Sequence, residues 1–100
     1  MNYALIEITP STKSNKKLMA VFLNTMTGRT KTVHFGEAGA SDFTKHKDEE
    51  RKQRYITRHK GKENWNDPTT PGALSRWILW NLPTLKASIE DYKERFGFAD

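Results

Sequence analysis

One hundred residues, 35% of them hydrophobic and 29% charged, suit one small domain with a modest core. Cysteine is absent, which excludes a disulfide framework and thiolate metal sites and fits a reducing compartment. Net charge is +5 and uneven: residues 1–40 hold five Lys/Arg against two acids, 41–67 eight against six, and 68–100 four of each. An anionic partner is therefore expected on the first two thirds.

The N-terminal run MNYALIEI lacks a basic segment and is interrupted by Glu7, so no signal peptide is expected. Asn2–Ile8 is rich in strand formers, with Tyr3 and Leu5 on one face and Ala4, Ile6 and Ile8 on the other. Both faces are largely apolar, which predicts a central or covered strand broken by Thr9-Pro10-Ser11. Leu18–Leu23 is a second strand, apolar on both faces. After a turn with Gly28 in the left-handed position, Arg29–Phe35 is the third, with Lys31, Val33 and Phe35 opposite Thr30, Thr32 and His34. Short connections predict an antiparallel meander over residues 1–36.

Ser41–Lys62 predicts one charged helix of about five turns, capped by Ser41 or Asp42 and closed by Gly61. It has aromatic residues at its two ends, Phe43 and Tyr55, and no apolar stripe between. Asp48→Lys52 and Glu50→Arg54 have the better orientation for pairs four apart, and Lys45 and Lys47 meet Asp48 and Glu50 at three. Such a helix is a solvated, self-paired strut, a contact for a polyanion or acidic protein, or a spacer. The candidate contact residues are Lys45, Lys47, Arg51, Lys52, Arg54, Arg58, Lys60 and, in the loop beyond, Trp65. Trp65 lies in NWNDPTTPG, dense in turn residues, and reads either as a lid over the core or as a stacking platform.

Residues 70–97 predict a helical hairpin. Thr70-Pro71 opens its first helix, with Leu74, Trp77 and Ile78 at helical spacing and Trp80 one turn beyond Trp77, and Asn81-Leu82-Pro83 stops it. The second carries the stripe Leu85, Ile89, Tyr92, Phe96, with Gly97 as cap. The fold class is α+β: a three-stranded antiparallel meander, a long charged helix and two short C-terminal helices, in a single domain over 1–100. The longest apolar patch, Leu74–Leu82, is too short and too polar for membrane insertion.

No catalytic residue, cofactor or metal is expected. His46 and His59 are thirteen apart and fall on different helix faces, so zinc is not indicated. Asp48-Glu49-Glu50 diverge in direction and have basic neighbours. Gly36-Glu37-Ala38-Gly39 lacks a phosphate-loop Lys-Ser/Thr, and no nucleophile motif is present. The C-terminal hairpin resembles a helix-turn-helix superficially, but Glu90, Asp91 and Glu94 offset Lys86, Lys93 and Arg95 on the would-be recognition helix. Nucleic-acid binding would instead use phosphate contacts from the charged helix and the Lys13/Lys16/Lys17 loop, without sequence readout.

The strings SDFTKH at 41–46 and RWILWN at 76–81, within a run over Thr30–Phe96, resemble an uncharacterised family of short proteins from large nucleocytoplasmic double-stranded DNA viruses of algae and protists. Glu37-Ala38-Gly39-Ala40 and Leu82 depart from that pattern, both lowering the positive charge. The resemblance implies no catalytic residue. It implies a virion setting, with assembly in the host cytoplasm or nucleus. The expected function is a non-enzymatic minor capsid or cementing component whose partners are other viral capsid proteins. The alternative is a sequence-independent nucleic-acid-binding protein of the virus acting through the basic helix.

Overall fold

The computed structural model describes residues 2–98, which divide into two compact units between Gly39 and Ala40. The architecture is α+β: a three-stranded antiparallel sheet followed by helices.

The first unit is the sheet, in the order β1 (Tyr3–Pro10), β2 (Lys16–Asn24), β3 (Thr30–Glu37). Its second hairpin is written locally. Asn24 Oδ1 accepts from the backbone N–H groups of Met26 (2.9 Å) and Thr27 (3.2 Å), and Gly28 takes φ +75°. Two expectations for β1 are corrected. The strand runs through Thr9 to Pro10 and is an edge strand, with β2 in the centre. Proline is tolerated there because an edge strand can do without one ladder donor.

The faces of β1 also differ from the expected alternation. Leu5 pairs with Phe22 but Glu7 with Val21, so Ile6 is an extra residue, a β-bulge. The bulge reverses the alternation, and Ile8, opposite Ala20, joins Tyr3 and Leu5 on the face that carries the buried Ala20, Phe22, Val33 and Phe35. Ile6 is left 52% exposed. On the other face Ser11 Oγ and His34 Nδ1 are hydrogen-bonded at 2.7 Å.

The second unit opens with α1 (Phe43–His46) and α2 (Glu49–His59) where a single helix over 41–62 was predicted. Two aspartates divide it. Asp42, buried, accepts from Thr44 N–H and starts one turn; Asp48 accepts from the N–H groups of Glu50 and Arg51 and starts another. Between them Lys47 adopts the left-handed conformation (φ 53°), and His46 Nδ1 accepts the Asp48 N–H at 2.9 Å. Short carboxylates bind backbone N–H groups in non-helical geometry, and here they do so twice. At the other end α2 stops at His59 with Lys60 as its cap, not at Gly61.

α3 (Pro71–Leu74) starts at Thr70, whose hydroxyl accepts from Ala73 N–H, and runs into a π-helical stretch, Ser75–Leu79, closed by Trp80 N–H to Ser75 C=O at 3.0 Å. α4 (Leu85–Phe96) starts at Thr84 and ends at Gly97 (φ 75°), as its sequence predicts. The connecting turn is fixed by Ser88, fully buried, whose hydroxyl accepts from Leu82 N–H (3.0 Å) and donates to Leu82 C=O (3.2 Å). That clamp sets the helix rotation. Ser88 and Tyr92 are its buried residues, whereas Leu85, expected in the stripe, is 37% exposed. The unit's core is Phe43, Tyr55, Ala73, Leu74, Ile78, Leu79 and Tyr92. Each large member contributes roughly 1.5–3 kcal/mol by burial.

Candidate functional site: an arginine-lined groove on α2

α2 turns one face inward through a column of rings. Tyr55 stacks on Trp80 at 4.4 Å with the planes 3° apart, and His59 stacks on Tyr55 at 4.3 Å. His46 lies 5.3 Å from Trp80, and His59 Nδ1 and Glu63 Oε1 are 2.6 Å apart. Burial, with the Glu63 charge behind it, pushes the Tyr55 hydroxyl pKa up, against the lowering influence of Arg76 and Arg58. A helix without an apolar stripe is thus held chiefly by one tyrosine.

The outward face is an open hollow of about 520 Å³ lined by Arg51, Gln53, Arg54, Thr57, Arg58 and Trp80. The arginines stand at i, i+3 and i+7. Among the described residues none of the three is in an ion pair. The pairing anticipated from the sequence is not formed: Asp48 caps the helix, and Lys52 lies 3.8 Å from Glu49 and 4.9 Å above the Phe43 ring. Asp48 is therefore spent on the helix start and Glu49 on Lys52 and Gln53, and the arginines beyond them have no carboxylate partner among the described residues. A guanidinium offers a rigid fork of donors that fits carboxylate or phosphate in bidentate fashion.

The remaining candidates separate. Lys45 lies on α1 and Lys47 at its left-handed corner, where its Nζ donates to Thr44 C=O at 3.2 Å; Lys60 caps the far end of α2. Trp65 does not line the groove. Its ring is 5.4 Å from the Arg76 guanidinium, and its carbonyl accepts from Trp77 Nε1 at 3.0 Å. Arg76 itself lies 4.3 Å from the Trp77 ring and donates to Trp80 C=O at 2.8 Å; burial and the nearby Arg95 lower its pKa. Trp80 is the groove residue that the spacing does not connect with the charged helix. Its stacking on Tyr55 crosses 25 residues, and no local pattern announces it.

Among the described residues no group of three His, Cys, Asp or Glu side chains could hold a metal, and no helix is long and apolar enough to cross a membrane.

Fold and groove together define an α+β protein with three arginines on one open helix face. The chain belongs to DUF5754, a family of unknown function, whose match covers residues 6–59. That span runs from the bulge in β1 to the last residue of α2 and so includes the three arginines, while Trp80 lies beyond it. No curated protein and no solved structure matches the chain.

Proposed function

We propose that the protein is a non-enzymatic binding protein whose α2 groove docks an acidic surface of a larger protein. The resemblance of its 41–46 and 76–81 motifs sets that role in the particle of a large DNA virus, as a minor capsid or cementing component between shell proteins. The observation that carries the docking role is the three arginines on one open helix face, with no carboxylate paired to them among the described residues.

Magnitudes favour a protein over nucleic acid as the partner. Three phosphate contacts release about three counterions, a salt slope near −2.7, well below that of proteins making six to ten such contacts. Residues 40–100 hold twelve Lys/Arg against ten acids, too even a balance for a broad polyanion surface. Particles stripped of DNA by nuclease test the assignment. Retention with the shell, with cross-links from Lys47 and Lys60 to a neighbouring shell protein, supports it. Departure with the DNA replaces it by nucleic-acid binding, and absence from particles removes the virion setting.

A further inference from the structure

The groove specifies more than the sign of its partner's charge. At 1.5 Å per residue, Arg51 and Arg58 stand about 10.5 Å apart along the α2 axis with Arg54 between, and at 100° per residue the three fall within a sector of about 60°. A matching partner needs three negative groups in a straight row at that rise, held stiffly enough to meet all three forks at once. An extended acidic chain spaces same-side carboxylates at about 6.5–7 Å, so two intervals overshoot the row. A second α-helix has the same rise as α2 by construction, and carboxylates at i, i+3 or i+4, and i+7 form such a row on one of its faces.

The groove's rim adds an orientation. Trp80 stands in the lining, half-buried. Its ring already has Tyr55 stacked at 4.4 Å and His46 at 5.3 Å, which leaves little for a nucleobase to stack on. The ring contributes an apolar wall instead. On the polar side Gln53 and Thr57, four residues apart, offer neutral hydrogen-bonding groups along the same helix.

From this arrangement we infer that the groove's partner is an acidic α-helical segment laid along α2, with a row of three carboxylates on Arg51, Arg54 and Arg58 and an apolar side chain against Trp80. The inference rests on the acidic-partner reading above and adds the partner's secondary structure and register. Bidentate guanidinium–carboxylate pairs make arginine distinct from lysine here.

The full-length protein, labelled with ¹⁵N, is titrated with three probes: a helix-forming peptide with Glu at i, i+4 and i+7; an isomer of identical composition with those Glu residues scattered around the helix; and a single-stranded oligothymidylate. The row peptide is expected to bind at least about tenfold tighter than its isomer, one factor of ten being 1.4 kcal/mol. It should shift the Arg54 and Arg58 Nε signals and the Trp80 indole signal together. Arg54→Lys should weaken it severalfold and Arg54→Glu abolish it. The Arg54 side chain is exposed, and unchanged circular dichroism will separate lost binding from lost folding. Equal binding of both peptides overturns the helical-partner inference and leaves the acidic-partner reading standing. Tighter binding of the oligonucleotide through the same signals overturns both in favour of phosphate, and no binding of any probe at millimolar concentration overturns both outright.

Discussion

α2 and α4 are nearly equal in length, eleven and twelve residues, and are held in different ways. α4 spends its inward face on folding. Tyr92 is fully buried with its hydroxyl donating to Pro68 C=O at 2.6 Å, Ser88 clamps the preceding turn, and Asn81 Nδ2 donates to Asp91 Oδ2 at 2.6 Å. α2 turns only Tyr55 into the interior among its eleven residues, half-buries Lys52, Ile56 and His59, and leaves its arginines outside. Burial of apolar surface is what folding stability is made of, so a helix fastened by one ring keeps most of its surface for a partner. The difference separates a helix that holds the protein together from one that is held out by it.

The largest test of that contrast is Tyr92→Ala, which empties a fully buried ring site. A loss of about 3–5 kcal/mol is expected in denaturant unfolding, and a much smaller one would mean that α4 is not the anchor. Tyr55→Ala removes the ring on which Trp80 and His59 both stack. About 2–4 kcal/mol should be lost, with hydrogen-exchange protection falling in α2 before α4.

Alkaline pH sharpens the same comparison. Burial, then the Asp67 charge, pushes the Tyr92 hydroxyl pKa up, so the folded protein holds that proton after the unfolded chain has begun to release it near pH 10. Stability from this source is complete below about pH 10 and falls as pH rises above it. Tyr92→Phe should therefore lose less stability than the wild type between about pH 9 and 11; an unchanged alkaline loss would assign the effect elsewhere.

Smaller effects belong to α2. Asp48→Ala deprives the Glu50 and Arg51 N–H groups of their cap and should cost about 1 kcal/mol. Replacing Arg51, Arg54 and Arg58 together by Gln should change stability by no more than about 0.5 kcal/mol per site. The same triple replacement should remove binding to an acidic partner, which is the sense in which these side chains are surplus to folding.

Much of the fold was legible in the chain. Strand patterns, the Asn24–Gly28 turn, the starts at Thr70-Pro71 and Thr84 and the stop at Gly97 depend on a residue and its near neighbours, and they stand where the local chemistry puts them. The candidate site was legible by half. Arg51, Arg54 and Arg58 share a helix face by spacing alone, but the Glu50–Arg54 pair that the same spacing predicts is not among the ion pairs of the described residues.

What the tertiary structure alone decided lies where two distant or competing partners choose. Ile6 becomes a bulge because register with β2 sends Ile8 to the face of Ala20 and Phe22. The break of the charged segment at Lys47 is by contrast local, a competition in which Asp42 and Asp48 cap in succession and His46 takes the Asp48 N–H. Ser88, by holding Leu82, rotates α4 so that Leu85 faces outward. Trp80 reaches the groove because Tyr55, 25 residues earlier, offers it a parallel ring. Periodicity sets which residues share one face of an element; which face is buried, and against which ring, is set by energies between elements that no single stretch of sequence contains.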